Sequence, residues 1–373
     1  MANKKIGITG HNGFLGTHLK NQIKYQYNDF EIIDFKRSFF QNQKDLSAFI
    51  NNFDIIIHLA GLNRHNSQEE ILKTNVLLAE ILGDSLIKNK FEGILLFSSS
   101  LQEYKDTHYG RSKKEASEIL AKKAKLGSFS FIKMIIPNIF GPFGQPQYNS
   151  FITTFSHQLI EQEKPEIIKD SLVPLIYVED VVCQILETIK LKGIHSIEVP
   201  HKINKKVSEI LTQLKVFHTI YIQNGVIPEF KSLFDIQLFN TFRSAISLKD
   251  SFPRYYKIHS DQRGYFTELM RAKSKGQVSF SVTKSGVTRG DHFHTRKIER
   301  FSVIQGDAII AVRTIGNKNS IEFKLNGKKP GYVDIPIWTT HNITNTGEED
   351  LITVFWINEH FVPEDDDVYF EKV

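Results

Sequence analysis

Four residues near the C-terminal end of the sequence have the side chains and the spacing of a metal site. His292 and His294 are one residue apart, so on a β-strand their side chains point to the same face. Glu299 follows closely, and His341 lies further along the chain. Imidazole nitrogens and carboxylates are ligands that Zn²⁺ and other divalent first-row metals take in proteins. The pattern therefore predicts one metal ion, most simply Zn²⁺, bound by these four residues.

A glycine-rich turn near the N-terminal end is typical of a dinucleotide site. The apolar run 5–9 predicts a strand, and residues 17–23 have the periodicity of a helix. Glycines between a strand and a helix let the backbone approach a pyrophosphate, and the helix N-terminus offers unpaired N–H groups. The turn is therefore expected to bind a dinucleotide through Gly10, Gly13, Phe14, Leu15 and Gly16.

Further along, the sequence places hydroxyl, phenol and ammonium groups in an order that suits hydride transfer. A buried strand is predicted to end at Ser98-Ser-Ser100, and Tyr109 and Lys113 lie four residues apart, on one face of a predicted helix. A lysine beside a tyrosine favours the phenolate, so we expect Tyr109 to exchange a proton near neutral pH. With a serine hydroxyl on the carbonyl oxygen, these groups can serve the reduction of a ketone.

These motifs together resemble the extended short-chain dehydrogenase/reductase family over roughly residues 1 to 240. The resemblance implies a Rossmann-type α/β fold, a doubly wound parallel sheet. It implies that Ser100 polarises the carbonyl, that Tyr109 is the general acid and that Lys113 is its partner. It also implies further contacts, with the cofactor through Leu59, Ala60, Gly61, Tyr109 and Lys113 and with the substrate through Asn138.

The four metal-site residues lie in a two-part pattern that resembles the cupin family. The first part is G-x5-HxH-x4-E-x6-G from Gly286 to Gly306, and the second is Pro336-x4-His341-x3-Asn345. The second part departs from the family pattern because Trp338 stands where a glycine is usual. The resemblance implies an all-β barrel that holds a metal among its inner strands. Whether the metal is catalytic or structural stays open, since only a catalytic site needs an open position.

The segment Asp261-Gln-Arg-Gly-Tyr-Phe-Thr-Glu268 resembles the substrate strand of cupin-type 4-keto-sugar epimerases. The resemblance implies that Arg263, Phe266 and Glu268 contact a nucleotide sugar, with the guanidinium on the diphosphate. The order of the two halves resembles the bifunctional capsular-polysaccharide enzymes. That family implies epimerisation at C3 of a UDP-2-acetamido-2,6-dideoxy-4-ketohexose, then NADPH reduction at C4 to UDP-2-acetamido-2,6-dideoxy-L-talose, on the way to N-acetyl-L-fucosamine.

Two alternative interpretations remain. In the first, the chain is a nucleotide-sugar 4-ketoreductase, and its cupin half is a non-catalytic binding or dimerisation module. In the second, the chain is a sugar-sensing regulator that retains the fold, which would leave Ser100, Tyr109 and Lys113 idle. The bifunctional enzyme is the interpretation that uses all the motifs, and we expect it to be a homodimer.

The choice between NADH and NADPH depends on residues just after the second predicted strand. Asp34 has the spacing of an acidic residue that binds the ribose 2′-hydroxyl and favours NAD. Lys36 and Arg37 follow, and either cation can pair with the 2′-phosphate of NADP. The resemblance to the capsular-polysaccharide enzymes favours NADPH, with Arg37 on the phosphate.

Length and composition agree with two domains. The chain has 373 residues, 40% of them hydrophobic, which is enough for two cores. We expect a reductase domain over residues 1–245 and a cupin domain over residues 250–373, linked near Ser251-Phe-Pro253.

Charge and cysteine content restrict the expected partners and the expected cellular compartment of the protein. The net charge is +5 without a long basic run, so nucleic acid is not an expected partner. The single cysteine, Cys183, excludes an intrachain disulfide and fits a reducing compartment. No signal peptide and no membrane-spanning apolar run are apparent, so a cytoplasmic protein is expected. The acidic run 364–367 is interpreted as a solvated turn.

Overall fold

The alternation of strands and helices in the first half of the chain builds a parallel sheet. The structure, a computed structural model, describes residues 4–27, 29–365 and 367–373, with the backbone alone at residue 34. Its first nine strands are β1 (Lys4–Thr9), β2 (Phe30–Asp34), β3 (Ile55–His58), β4 (Ile94–Ser100), β5 (Ser130–Ile136), β6 (Asn138–Phe140), β7 (Leu172–Tyr177), β8 (Ile194–Glu198) and β9 (Ile203–Lys206). The helices between and after them are α1 (Phe14–Gln26), α2 (Gln43–Ile50), α3 (Gln68–Lys88), α4 (His108–Leu126), α5 (Phe151–Ile160), α6 (Val178–Thr188) and α7 (Val207–Phe217).

Six of these strands form one sheet in the order β2-β1-β3-β4-β5-β8, and every pairing in it is parallel. Its two faces bury different apolar side chains, since successive residues of a strand point to opposite sides. Ile57 packs with residues of α1 and α6, whereas Ile56 packs with residues of α2, α3 and α4. Helices therefore cover both faces, and the predicted Rossmann-type sheet is confirmed. Strands β6, β7 and β9 form a second, smaller sheet, which was not predicted.

The strand order locates a binding crevice in this sheet. From β1 the chain passes to β2 on one side, and it returns to β3 on the other. Ligands of open α/β sheets bind at such a switch point, outside the carboxyl ends of the strands. The glycine-rich turn after β1 and the residues after β3 both lie at this edge.

Beyond residue 252 the chain is a β structure. Its strands are β10 (Arg254–Tyr255), β11 (Ile258–Asp261), β12 (Gly264–Thr267), β13 (Gln277–Thr283), β14 (Thr288–Phe293), β15 (Glu299–Gln305), β16 (Asp307–Thr314), β17 (Ile321–Asn326), β18 (Gly331–Ile335), β19 (Thr339–Asn345), β20 (Leu351–Ile357) and β21 (Tyr369–Phe370). They form the antiparallel sheets β10-β18-β15-β20-β13 and β17-β16-β19-β14-β21 and the separate hairpin β11-β12. The predicted change to all-β structure is confirmed, and closure into a cupin barrel stays a prediction.

Two short helices, α8 (Leu233–Arg243) and α9 (Leu248–Ser251), precede these strands. The chain divides into two compact units, residues 1–154 with 166–211 and residues 155–165 with 212–373. The helical segment from residue 212 therefore belongs to the compact C-terminal unit, although the predicted domain boundary lies at 245–250. That boundary stays a prediction for the two functional domains.

A buried ion pair explains why the helical segment joins the C-terminal unit. Arg300 on β15 donates to Asp334 on β18 through Nε at 2.6 Å and Nη2 at 2.9 Å. Tyr221, from the helical segment, donates its hydroxyl to the same carboxylate at 2.6 Å, and Arg243 of α8 donates to the carbonyl of Ile335 at 3.0 Å. These polar groups are buried, so losing one partner would leave another unsatisfied.

No helix among the described residues is long and apolar enough to cross a membrane.

Candidate active sites and metal centre

Close backbone contacts require glycine at two of the three glycine positions of the first turn. Gly10 has a φ of +76°, and a Cβ there would lie 2.8 Å from the amide nitrogen of Ala60. A Cβ on Gly16 would meet the carbonyl oxygen of Gly10 at 2.4 Å. Gly13 is the N-cap of α1 and has no side chain to cover the first N–H groups of the helix. The turn can therefore offer backbone N–H groups and the positive end of the helix dipole to a pyrophosphate.

The other predicted cofactor residues fall at the same edge of the sheet. Leu59 donates its N–H to the carbonyl of Thr9, and Ala60 donates to the Thr9 hydroxyl at 3.2 Å. These bonds fix the loop after β3 against the end of β1. Phe14 and Leu15 open α1, and Arg37 is exposed at the start of a short 3₁₀ turn after β2. The side chain of Asp34 lies outside the part of the chain that the structure describes.

The predicted catalytic residues lie on adjacent elements of the same unit. Ser100 ends β4, and its hydroxyl accepts the N–H of Gln102 at 3.2 Å. Tyr109 and Lys113 lie in the first turns of α4, which confirms the predicted helix. The Lys113 ammonium donates to the carbonyl of Ser98 at 2.8 Å and lies 5.9 Å from the centre of the Tyr109 ring. This contact holds the start of α4 against the end of β4.

The predicted lowering of the Tyr109 pKa is wrong in direction. Burial, and then the neighbouring Tyr148, raise the pKa of Tyr109 to about 12 instead of lowering it. Burial lowers the pKa of Lys113 to about 8, because the ammonium loses water when it is enclosed. Tyr109 is therefore a neutral phenol at pH 7, the form that a proton donor requires.

Asn75 was missed by the sequence analysis, although it connects three parts of this site. It lies in α3 and is only 5% exposed. Its amide accepts the N–H of Leu62 at 2.6 Å and donates to the Leu62 carbonyl and to the Ser112 hydroxyl at 2.8 and 2.9 Å. A Cβ on Gly61 would lie 3.2 Å from Asn75 Oδ1 and 3.6 Å from Lys113 Nζ. Asn75 thus fixes the loop after β3 next to α4, and a polar residue in an apolar helical stretch was the signal for it.

The four predicted metal ligands converge in the C-terminal unit. Their ligand atoms all lie within 4.8 Å of one another. Glu299 Oε2 is 3.2 Å from His294 Nε2 and 3.1 Å from His341 Nε2, and these three atoms are buried without a hydrogen-bond partner in the described structure. Buried polar atoms without partners are costly, and an ion at the centre of the cluster would satisfy all three. The donor set of three imidazoles and one carboxylate fits Zn²⁺ or another divalent first-row metal.

Backbone carbonyls orient the imidazole rings of this cluster. His294 Nδ1 lies 2.5 Å from the carbonyl oxygen of Asp367, and His341 Nδ1 lies 3.2 Å from that of Thr339. A carbonyl can only accept, so each Nδ1 must carry the proton and each Nε2 presents its lone pair to the cluster. His292 has a comparable backbone hydrogen bond to Gly290.

The charge states of the cluster also suit a cation. Burial, His341 and His294 together lower the pKa of His292 to about 4. Burial alone would raise the pKa of Glu299, but His341 and His294 outweigh it and hold that pKa well below its usual range. Burial lowers the pKa of His294, but the nearby carboxylate of Glu299 outweighs burial and raises it. A negative carboxylate therefore lies among the imidazoles at neutral pH.

The local backbone explains how the ligands reach one point. A register shift between Gly290 and His292 in β14 turns the latter toward the cluster, and a Cβ on Gly290 would meet the carbonyl of His341 at 2.7 Å. Trp338, at the position where the cupin pattern has glycine, takes a φ of +56°. Its ring stacks on Phe293 with 5.4 Å between ring centroids, and its backbone N–H donates to the His294 carbonyl at 2.7 Å. A residue other than glycine in this left-handed region costs about 1–3 kcal/mol of conformational free energy, and these contacts offset that cost.

The predicted substrate residues lie apart from these clusters in sequence. Arg263, Phe266 and Glu268 belong to the hairpin β11-β12 and the residue after it, and all three are exposed. Arg263 pairs with Asp261, and Glu268 pairs with Arg271. Asn138, in the N-terminal unit, is exposed and donates to the Pro174 carbonyl at 3.2 Å. Their contact with a substrate stays a prediction.

Known proteins and protein families match both units of the chain. Residues 6–194 match the NAD dependent epimerase/dehydratase family, and residues 259–369 match the polysaccharide biosynthesis C-terminal domain. A UDP-2-acetamido-2,6-beta-L-arabino-hexul-4-ose reductase of Pseudomonas aeruginosa is 34% identical, over 98% of each chain. The capsular polysaccharide assembling protein CapF of Staphylococcus aureus has 32% identity, a TM-score of 0.62 and coverage of 99% of this chain and 100% of its own.

A more distant structure shares only the fold of the N-terminal unit. MoeE5, in complex with UDP-glucose and NAD, is 19% identical with a TM-score of 0.51 and covers 57% of this chain and 81% of its own. The resemblance to CapF, by contrast, extends over both units.

Proposed function

The chain belongs to the NAD dependent epimerase/dehydratase family, and we propose that it is a bifunctional nucleotide-sugar enzyme. Its C-terminal half epimerises C3 of a UDP-2-acetamido-2,6-dideoxy-4-ketohexose, and its N-terminal half reduces C4 with NADPH. The product is UDP-2-acetamido-2,6-dideoxy-L-talose, a precursor of UDP-N-acetyl-L-fucosamine for capsule or O-antigen. The observation that carries the proposal is the metal-ligand cluster in a chain whose whole length aligns with a 4-ketosugar-type reductase.

In the reductase half, each residue has a distinct task. The turn from Gly10 to Gly16 binds the pyrophosphate through backbone N–H groups, and residues 59–61 line the crevice beside it. When bound, NADPH would supply the hydride for C4. Tyr109 holds its proton at neutral pH and donates it to the oxygen on C4, while the Ser100 hydroxyl orients that oxygen.

The order of the two reactions follows from the chemistry of the substrate. A ketone at C4 acidifies the C3 proton, because the charge left after its removal spreads onto the carbonyl oxygen. Reduction removes that ketone, so epimerisation must come first.

The metal would be held by His292, His294, Glu299 and His341 in a cupin-type barrel. When bound, Zn²⁺ would supply a Lewis acid that stabilises negative charge on a substrate oxygen. Arg263 can bind the diphosphate in a bidentate manner, because its guanidinium is exposed and its present partner, Asp261, is exposed as well. Phe266 and Glu268 are proposed to contact the sugar from the same hairpin.

A homodimer in the cytoplasm is part of the proposal. Strand β13 lies at the edge of its sheet and carries Val278, Phe280 and Val282, which are 64%, 70% and 43% exposed. An exposed apolar edge strand favours pairing with another chain, and a second copy is the partner that we propose. NADPH and UDP-sugars are consistent with the predicted cytoplasmic location.

The alternative function is a 4-ketoreductase whose C-terminal half is a non-catalytic binding or dimerisation module. Product stereochemistry separates the two. The purified protein is given the unepimerised UDP-4-keto-6-deoxy sugar with NADPH, and the product is analysed by NMR. We expect inversion at C3 in the reduced product, whereas a product reduced at C4 with its original C3 configuration would support the alternative.

A further inference from the structure

We propose that Asp367 is a positioning residue of the metal site, which fixes His294 and the chain between His294 and Glu299. The acidic run 364–367 was interpreted as a solvated turn, and this is wrong for its last residue. Asp367 is 4% exposed, whereas Glu364 and Asp365 are exposed. A buried carboxylate near a ligand cluster needs partners, and its partners lie next to that cluster.

The first contact is made by the backbone of Asp367. Its carbonyl oxygen lies 2.5 Å from Nδ1 of His294, so the imidazole donates there and keeps the lone pair of Nε2 for the metal. Residues that accept a hydrogen bond from a metal-bound histidine set its tautomer and its ring orientation. Asp367 has a φ of +47°, in the left-handed region that Asp and Asn tolerate better than most residues.

The second set of contacts is made by the carboxylate. Oδ1 accepts the N–H of Thr295 at 3.0 Å and its hydroxyl at 2.7 Å. Oδ2 accepts the N–H groups of Arg296 and Lys297, each at 3.1 Å. Four donors from three successive residues thus meet one carboxylate. Those residues connect two metal ligands, so their backbone path sets where both ligands point.

The residues after Asp367 extend this support along the neighbouring ligand strand. Tyr369 and Phe370, in β21, pair with Phe293 and His292 of β14. The N–H of Glu371 donates to the carbonyl of Asp291 at 2.9 Å. The C-terminal segment therefore lies against the strand that carries one histidine ligand and leads directly into the next.

The test is the affinity for Zn²⁺ of the full-length Asp367→Asn variant. The amide keeps the size of the carboxylate, but its NH₂ group faces N–H donors in either orientation, so at least one pair of donors loses its acceptor. We expect the dissociation constant for Zn²⁺, measured by competition with a chelating dye, to rise on the order of 10- to 100-fold. Glu364→Gln, which changes an exposed carboxylate of the same segment, is the matched control and should bind as the wild type does.

A second readout separates positioning from a loss of stability. With Co²⁺ in the site, we expect the visible ligand-field spectrum of folded Asp367→Asn to differ from that of the wild type, because the carboxylate no longer fixes the backbone between His294 and Glu299. A lower melting temperature with unchanged affinity and an unchanged spectrum would overturn the proposal.

A milder variant covers the case in which Asp367→Asn does not fold. Thr295→Val removes only the hydroxyl donor, and we expect it to weaken Zn²⁺ binding several-fold, so wild-type affinity in this variant would overturn the proposal.

The inference rests on the proposed metal site, and a failure of the metal site is distinguishable from a failure of the role of Asp367. If the wild type binds no divalent metal, the metal site itself is wrong; if it binds one and the variants bind it equally well, only the role of Asp367 is wrong.

Discussion

Glu299 Oε2 lies 3.1 Å from His341 Nε2, although the two residues belong to different sheets of the C-terminal unit. Glu299 begins β15, and His341 lies in β19. A metal bound between them would connect the two sheets at a point where both side chains are buried. The proposed site therefore has a structural consequence in addition to its chemistry.

The first prediction concerns the metal. His292→Ala removes one of the four proposed ligands and should reduce the metal content from about one ion per chain to nearly none. Elemental analysis of the purified proteins measures this directly. His259→Ala, an exposed histidine of the same unit, should keep the wild-type content. Equal metal content in wild type and His292→Ala would contradict the site.

The second prediction concerns proton donation. Tyr109→Phe should slow NADPH consumption on the order of 10²-fold or more, because the phenol is the proposed proton donor. NADPH binding, measured by cofactor fluorescence, should survive because the glycine turn is unchanged. Tyr104→Phe removes an exposed phenol and is the matched control. Reduction at nearly the wild-type rate in Tyr109→Phe would remove it from the mechanism.

The third prediction is the pH dependence of reduction. Tyr109, with its pKa raised to about 12, stays protonated through the working range, so it does not limit the alkaline side. Lys113 has its pKa lowered to about 8, so its positive charge is present below that pH and is lost above it. We expect kcat to fall as the pH rises through about 8. In Lys113→Arg, any remaining activity should lack this fall, because a guanidinium stays charged.

The fourth prediction is the preference for NADPH. Arg37→Ala should raise the KM for NADPH and leave the KM for NADH almost unchanged, because only NADPH has the 2′-phosphate. Lys36→Ala, at the neighbouring exposed cation, is the comparison that shows which of the two charges binds it. A higher kcat/KM with NADH in the wild type would mean that Asp34 governs the pocket.

Much of the fold could be predicted because its signals are local. The strand-turn-helix order around Gly10 and the spacing of His292, His294 and Glu299 each occupy a short stretch of sequence. The contact of Asp367 with His294 joins residues 73 positions apart in the sequence, and a run of acidic residues does not reveal it.

The pKa of Tyr109 could not be predicted for a different reason. Its neighbour Lys113 is visible in the sequence, but the burial of the phenol depends on the packing around it. The helical segment 212–251 belongs to the C-terminal compact unit through the buried carboxylate of Asp334, whose partners are far away in sequence. Tertiary contacts of this kind leave no periodic pattern.

The most direct test of the bifunctional enzyme is hydrogen exchange at C3. The metal-loaded protein is incubated with the UDP-4-keto-6-deoxy sugar in D₂O without NADPH, and the sugar is analysed by NMR and mass spectrometry. We predict that deuterium enters at C3 with the wild type and with Tyr109→Phe, and that His292→Ala does not catalyse this exchange. A wild-type enzyme that reduces the sugar with NADPH but incorporates no deuterium at C3 would contradict the account.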